Sequence, residues 1–419
     1  MICLKTSIPK FFRRKNGSLS IYLAIFFVLI ISVAVLFIQN AKNEAVISSA
    51  KSLGSVWLQS ELGKYDRHLY KNYGIYGFYG DCEEIKRDVD YMAKYSFKGK
   101  KYIKYGGCKV DLGNLNVENS AVFKEQIVRA AGSEQFKKII ERKKPEDIED
   151  NFYFESRDKI QGVINNNAVI ADLPSYGNNK TITISGLISK LKDVDSIGSI
   201  FKKAGEAYMV DKYVHGFFKN YRDNKGIGQT LFSNEEEYII AGKFHDESNR
   251  KKVKHYIMGI RQAMNTMTIV TNPDMMEEIT SAAAALTPGP EAVITEALLI
   301  EAWALAESEN DYQLLIRGRK VPLRKDRAEW AVDIDSVAHG IKEGYVDMDN
   351  KVGESYENYL SLFMYIMDED TKLLRMMDLI QINMRLNYYE DFLLREYYVG
   401  LSLMLNVNNR SVVIEKSYY

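Results

Sequence analysis

The sequence predicts a helix-dominant α+β protein. One N-terminal transmembrane helix continues as a long extracellular helix and leads into a globular ectodomain with short antiparallel strands. Three observations lead there. Leu19 to Ile38 is a run of 20 residues without Asp, Glu, Lys, Arg, Asn or Gln. Apolar residues recur at helical spacing through most of the remaining chain. Stretches rich in strand formers are few, the clearest lying at residues 100–119 and in the C-terminal tail.

At a rise of about 1.5 Å per residue, the apolar run covers roughly 30 Å, the thickness of a bilayer's hydrocarbon core. A secretory apolar region is shorter, about 7–15 residues. Ser48 and Ala50 form a small-residue pair that a signal peptidase could accept, but they lie well beyond the apolar run. A soluble helix rarely stays apolar on every side for five turns. An uncleaved anchor is therefore the expectation, with a cleaved signal second. Lys5, Lys10, Arg13, Arg14 and Lys15 precede the run, whereas Lys42 after it is balanced by Glu44. Positive flanks stay cytoplasmic. The reading is a cytoplasmic tail at 1–17, the membrane span at 18–39, a helical continuation at 40–70 and an extracellular ectodomain at 71–419.

The 419 residues carry 56 basic and 56 acidic side chains, which gives no electrostatic case for nucleic acid. No second apolar stretch is long enough to span; Thr280 to Leu305 is interrupted by Pro288, Pro290, Glu291, Glu296 and Glu301. Of three cysteines, Cys3 falls on the cytoplasmic side. Cys82 and Cys108 fall outside, where they are a candidate disulfide.

Val46, Ala50, Leu53 and Trp57 step by 4, 3 and 4, which extends the first helix to about Tyr70, before the glycine-punctuated "NYGIYGFYGD". Residues 83–97 read as a helix. Residues 100–119 read as a hairpin or bulge around Gly106-Gly107. Ala121 to Lys143 and Asn151 to Ile170 read as helices, "TITIS" (181–185) as a strand, and Leu187 to Tyr221 as one or two helices. Tyr238 to Ala241 reads as a short β run. Ser248 to Ile269 is a helix with Val253, Ile257, Ile260 and Met264 on one face. Pro273 opens a helix that "TPGP" (287–290) ends, and Ala292 to Glu307 is the next. Glu354 to Met367 and Thr371 to Leu386 form a helical hairpin with Asp370 as a cap, and Asn408-Asn409 turns a closing β-hairpin.

Several stretches together resemble an uncharacterised family of Gram-positive membrane proteins whose genes accompany tight-adherence (Tad, or Flp) pilus machinery. They are "NGSLSIYLAIFFVLIISVAVLFIQNAK", "SELGKYDRHLYKNYGIYGF", "EEEYIIAGK", "NRKKVKHYIMGIRQAMN", "EAWALAESENDYQLLIRGRKVPLRKDRAEWAV", "YENYLSLFMYI" and "TKLLRMMDLIQINMR". The resemblance covers about 16–80 and 235–405, and residues 81–234 are less characteristic. The opening is also similar to the pseudopilins TadE and TadG, which begin with a Gly before an apolar helix. That similarity makes Gly17 and Ser18 a candidate processing site for a prepilin peptidase. Tyr22 stands where a pilin has the Glu that helps subunits assemble. Gly17, Ser18 and Ser20 are small enough for a neighbouring helix to approach, so they are the candidate packing surface in the membrane.

Motifs for chemistry are sparse. None of His68, His215, His245, His255 and His339 stands four residues from another, and no G-x-S-x-G or P-loop sequence occurs. "DMDNKVGE" (347–354) has Asp347, Asp349 and Lys351 at the first three ligand positions of a calcium loop, but Val352 replaces the turn glycine and Asn358 the closing Glu. Arg375 and Asp378 read as a helical ion pair, and "GRKVPLRK" as a solvated basic face. No catalytic, cofactor or metal site is expected, and no small-molecule substrate. The implied role is a non-enzymatic accessory of a Tad-type pilus or related secretion apparatus. Its partners would be pilus or pseudopilin subunits and inner-membrane platform proteins. The alternatives are an adhesin or sensor ectodomain, then a wall-acting enzyme. If Gly17 is processed, co-expression with a prepilin peptidase should yield a mature N-terminus at Ser18 by N-terminal sequencing; an intact Met1 would leave a simple anchor.

Overall fold

The computed structural model describes residues 16–133, 172–178, 180–184, 187–188, 191, 196–201, 205–223, 230–341 and 344–418. In chain order the helices are α1 (Asn16–Leu62), α2 (Arg67–Tyr73), α3 (Cys82–Phe97), α4 (Ser120–Gly132), α5 (Ile197–Phe201), α6 (Glu206–Phe217), α7 (Glu235–Ala241), α8 (Asp246–Thr271), α9 (Pro273–Leu286), α10 (Ala292–Ile316), α11 (Ile334–Ala338), α12 (Tyr356–Ile366) and α13 (Glu369–Asn387). The strands are β1 (Phe78–Tyr79), β2 (Tyr105–Asp111), β3 (Tyr397–Tyr398), β4 (Gly400–Val407) and β5 (Arg410–Ser417). The class is α+β with helix dominant, as the periodicity predicts. The chain forms two compact units: residues 1–64, 80–113 and 400–419 make the first, and residues 65–79 and 114–399 the second.

The first unit is built on α1. No other described element covers its segment Leu19 to Ile38: Leu19, Phe26, Leu29 and Phe37 are each more than half exposed. Among the described residues it is the one helix long and apolar enough to cross a membrane. Farther along, Val46, Ala50, Trp57, Leu58 and Leu62 are buried, so the predicted stripe is a packing face. An antiparallel sheet in the order β2-β4-β5 lies on it. Gly54 lets the sheet come close: a Cβ there would overlap Ile414 Cδ1 and crowd Leu405. β5 climbs α1, with Arg410 paired to Glu44 at 3.5 Å, Lys416 Nζ donating to Gln59 Oε1 at 3.0 Å, and Tyr418 Oη donating to Leu62 O at 2.6 Å. Trp57 meets the edge of Phe97 on α3 with centroids 5.7 Å apart. The β4–β5 turn is the predicted Asn408-Asn409, both left-handed at φ 51° and 61°, as a two-residue hairpin with a right-handed twist demands. β2 carries a bulge between Tyr105 and Cys108, but its partner is β4, about 300 residues away, and no local hairpin forms there.

The second unit is helical. Nearly every residue of α13 from Thr371 to Asn387 is buried, as in a helix surrounded by other elements on all sides. α8, α9, α10 and α11 share a core of Ile269, Met275, Ile279, Leu299, Trp303 and Ile334. Trp303 donates its indole N–H to Val332 O at 2.8 Å. Two short strands, β1 and β3, pair antiparallel.

Several expectations are corrected. α1 ends at Leu62, not near Tyr70; Asp66 caps the separate α2 by accepting from Leu69 N. Tyr238 to Ala241 lies in helix α7, which three consecutive Glu open and Gly242 ends in the left-handed conformation. Residues 181–184 are not a strand. α13 is capped by Asp368, not Asp370, and α12 by Ser355. The helix expected at 151–170, the end of the one expected at 121–143, and Cys3 lie outside the described residues.

Gly54→Val is expected to force apart α1 and the sheet, lowering the stability of the first unit by about 1–3 kcal/mol. Faster hydrogen exchange of amides in β4 and β5 would report it; unchanged protection would mean the contact is not tight.

Candidate functional site

Gly17, Ser18 and Ser20 all lie in the first turns of α1, on one continuous helix with the apolar run. Ser20 is exposed. Ser32, farther in, donates its hydroxyl to Val28 O at 2.7 Å, so the apolar face presents no unsatisfied hydroxyl at that position. Tyr22 is 72% exposed.

Cys82 and Cys108 are both free thiols in the structure, so the candidate disulfide is not made there. Cys82 is exposed at the first turn of α3. Cys108 is buried on β2 and lies 3.4 Å from Asp90 Oδ1. Burial pushes the Cys108 thiol above its ordinary range, and the Asp90 carboxylate adds to that.

The second unit holds two buried polar clusters that sequence reading missed. In the first, Arg261 of α8 donates through Nε to Asp311 Oδ2 at 2.9 Å and through Nη1 to the carbonyls of Pro322 and Leu323. Lys325 pairs with both Asp311 and Glu307. Glu307 also accepts from Val332 N at 2.9 Å. All four charged side chains are fully buried. Burial works against the Asp311 carboxylate, but Arg261 and Lys325 prevail and hold it below its ordinary range. The effect is to nail the segment 319–332, which includes one turn of 3-10 helix at Arg327–Glu329, onto α8 and α10. This corrects the reading of "GRKVPLRK" as a solvated face at Lys325, while Arg317, Lys320 and Arg324 are exposed. Lys325 is interior, and Arg319 is tied to Asp347 at 2.7 Å and to Asp349 at 2.9 Å. That same tie engages both leading carboxylates of the calcium-like turn.

The second cluster gathers around the Glu235-Glu236-Glu237 run at the start of α7, where all three side chains are buried. Glu235 accepts from Lys219 N at 3.0 Å and from Asn383 Nδ2 at 2.7 Å. Glu237 accepts from Tyr221 N at 2.9 Å and from the Tyr356 hydroxyl at 2.7 Å. Burial pushes both carboxyls up to about 7, with the Glu236 charge adding to it. His215 lies between this run and α12: its Nδ1 is 3.0 Å from Glu236 Oε1, and its Nε2 is 2.7 Å from Ser361 Oγ and 3.4 Å from Asp211 Oδ1. Ser361, His215 and Glu236 thus have the spacing of a nucleophile relay. Electrostatics argue against that chemistry. Burial alone would lower the imidazole, but Glu236 and Asp211 outweigh it and hold the ring cationic well above its ordinary range. That shift favours the doubly protonated ring and works against its taking a proton from Ser361.

Arg375 and Asp378 do not bond each other, contrary to expectation. Arg375 donates to Ile239 O and Ile240 O at 2.8 Å, closing the end of α7, and its guanidinium lies where a side chain on residue 242 would be. Asp378 accepts from Ser175 N at 2.9 Å and from the Tyr238 hydroxyl at 2.8 Å. Burial pushes its carboxyl up to about 6. Elsewhere on this unit an open groove of about 760 Å³ runs beside α10, with Met258, Leu305, Val337, Ile341 and Tyr345 among its walls. Among the described residues no group of three or more His, Cys, Asp or Glu is arranged to hold a metal ion.

The model of a family of unknown function, DUF5702, matches residues 145–409. The chain belongs to this family. No curated protein and no solved structure matches it. The DUF5702 match takes in both polar clusters and β4. It begins at residue 145, so part of the stretch that reads as less characteristic belongs to it as well. Residues 16–80, where a resemblance to the family is also expected, lie outside the DUF5702 match.

The clusters left faint traces in sequence. Three adjacent Glu before an apolar pair, followed by Gly, is a helix start and stop signal. Nothing in the local pattern says that the Glu side chains point inward, because their partners at 215–221, 356 and 383 are distant in sequence.

Two outcomes are expected. Glu235, Glu237 and Asp378 titrate above their ordinary values, and the stability they confer is present below about pH 4 and lost as pH rises through 6 and 7. His215, also raised, loses its share at still higher pH. The melting temperature of the second unit should therefore fall between pH 5 and pH 8, and Glu235→Gln with Glu237→Gln should flatten that slope. A rising curve would show that the carboxyls are ionised and paired. Lys325→Met leaves Glu307 and Asp311 with one fewer counter-charge and is expected to cost about 3–5 kcal/mol in denaturant unfolding.

Proposed function

We propose that this chain is a membrane-anchored, pseudopilin-like accessory of a Tad-type pilus or a related secretion apparatus. The N-terminus is cytoplasmic, and residues beyond about 40 lie outside the cell. The observation that carries the reading is a division within one unbroken helix. From Leu19 to Ile38 α1 is uncovered on every side; from Val46 to Leu62 one face is sealed by a sheet and by α3. An apolar segment with no partner in its own chain needs lipid or another apolar helix. The small residues Gly17, Ser18 and Ser20 suit the close approach of a platform or pseudopilin helix near the inner boundary.

The role is assembly rather than catalysis. In the nearest approach to a catalytic arrangement among the described residues, Ser361 with His215, two flanking carboxylates favour the protonated form of the base. The groove beside α10 favours a second reading, an adhesin or sensor ectodomain, in which that surface takes a ligand from outside.

Topology and partnership are separable in experiment. Protease added to intact protoplasts is expected to digest the C-terminal portion; protection until lysis would invert the orientation and remove the pilus assignment. Photo-crosslinkers placed at Ser20 in cells expressing Tad components should join the chain to a platform or pseudopilin subunit. Crosslinks to lipid alone would favour the adhesin or sensor reading.

A further inference from the structure

We propose that the membrane-facing end of the first unit is a lysine–tyrosine skirt that seats on anionic phospholipid headgroups. Tyr102, Lys104 and Arg410 form its headgroup-level rim, and Lys98, Lys100 and Lys101 lie on the loop that leads to it. The inference rests on the anchored reading above and adds to it a second, electrostatic attachment.

The placement comes from contacts within the first unit. α1 leaves the apolar run at Ile38 and reaches Glu44 six residues later, about 9 Å of rise. Arg410 meets Glu44 at that level. The turn that holds Arg410 is bound to the segment before β2: Asn408 N donates to Lys104 O at 2.9 Å, Lys104 N donates to Asn408 Oδ1 at 2.7 Å, and Asn408 Nδ2 donates to Tyr102 O at 3.1 Å. α3 runs the opposite way to α1. Asp88 pairs with Lys64 at the upper end, at 2.5 Å, and Phe97 packs on Trp57 lower down. The chain leaving α3 at Lys98 is therefore heading back toward Glu44 when it enters the loop 98–104. Tyr102, Lys104 and Arg410 lie at the level where headgroups would be.

The composition of that loop fits one partner. Between Tyr91 and Val110 the chain has six Lys and no Asp or Glu. Lys98, Lys101, Tyr102 and Lys104 are exposed, Tyr102 at 64%. None of the four loop lysines pairs with a carboxylate among the described residues, although exposed lysines elsewhere in this chain do, Lys64 and Lys251 among them. Unpaired cations within about 8 Å of a bilayer's headgroups are inside the screening length at physiological salt and sense an anionic surface. A tyrosine at the same level suits an interface, with its ring toward the acyl boundary and its hydroxyl in water. The loop also has a firm base. Ile103 is buried, and the hydrogen bonds to Asn408 hold Lys104 in place, so little ordering entropy is lost on docking.

The test uses the full chain in nanodiscs, in either pure phosphatidylcholine or a mixture with phosphatidylglycerol, read by hydrogen exchange. The expected result is several-fold slower exchange of amides 98–104 in the phosphatidylglycerol discs only. The slowing should be lost at high salt and in a variant with Lys98→Ser, Lys100→Ser, Lys101→Ser and Lys104→Ser. In that variant β4 and β5 should keep their protection, which shows that the unit is folded. Equal exchange in the two lipids, with the chain still co-eluting with the discs, would overturn the skirt and leave the anchor intact. A chain that fails to co-elute with discs would overturn both. Soluble polyphosphate that slows the same amides in phosphatidylcholine discs as much as phosphatidylglycerol does would assign the surface to a free polyanion instead, against the proposal.

Discussion

A stretch of 20 residues with no charged or amide side chain would, in lipid, have no means of satisfying its backbone except by bonding to itself, and the first unit is built on the helix that meets this constraint. The helix it enforces does not end where the apolar run ends. Carried on through Val46, Ala50 and Trp57, it becomes the post on which a three-stranded sheet is hung. The sheet's strands come from residues 105–111 and 400–417, so the N-terminal helix cannot be sheathed until the C-terminus has been made. The long separation between partners makes this a pairing of high contact order, costly in loop closure and cooperative once formed.

The second unit is held by a different force. Its helices bury carboxylates and cations that the sequence scatters widely. Arg261, Asp311, Lys325 and Glu307 balance two positive against two negative charges, with backbone groups filling remaining valences. Such a cluster adds little net stability over an apolar replacement. What it does is fix the path of segment 319–332, because any other path leaves an ion without its partner. The Glu235–Glu237 run is less balanced: one cationic imidazole serves a run of three carboxyls, and the excess is relieved by protons on Glu235 and Glu237 near neutrality.

The two forces suit the two tasks proposed. On that proposal, a single helix in lipid, helped by a basic skirt at its exit, would hold the molecule by simple, sequence-tolerant physics. The second unit, which must present one shape, is specified by directional bonds. The family match falls almost wholly on the second unit and β4, where that directional bonding is concentrated.

Sequence by itself determined the apolar span, the amphipathic faces of α8 and α1, the helix that Pro273 opens and the Asn408-Asn409 turn. Each is a local matter: periodicity, a fixed proline φ, or a residue type that tolerates left-handed backbone. It misjudged Tyr238 to Ala241 because β-branched residues next to an aromatic look like a strand when their end signals are overlooked. It paired Arg375 with Asp378 because spacing on one helix suggests contact, whereas burial gave each a better partner on another segment: helix-end carbonyls for the guanidinium, a tyrosine and a backbone amide for the carboxyl. Only the tertiary structure could decide which charges lie inside, which strand completes β2, and that the loop after α3 turns back toward Glu44. All three depend on which distant residues meet, and a side chain's neighbours across the fold are not written in the residues beside it.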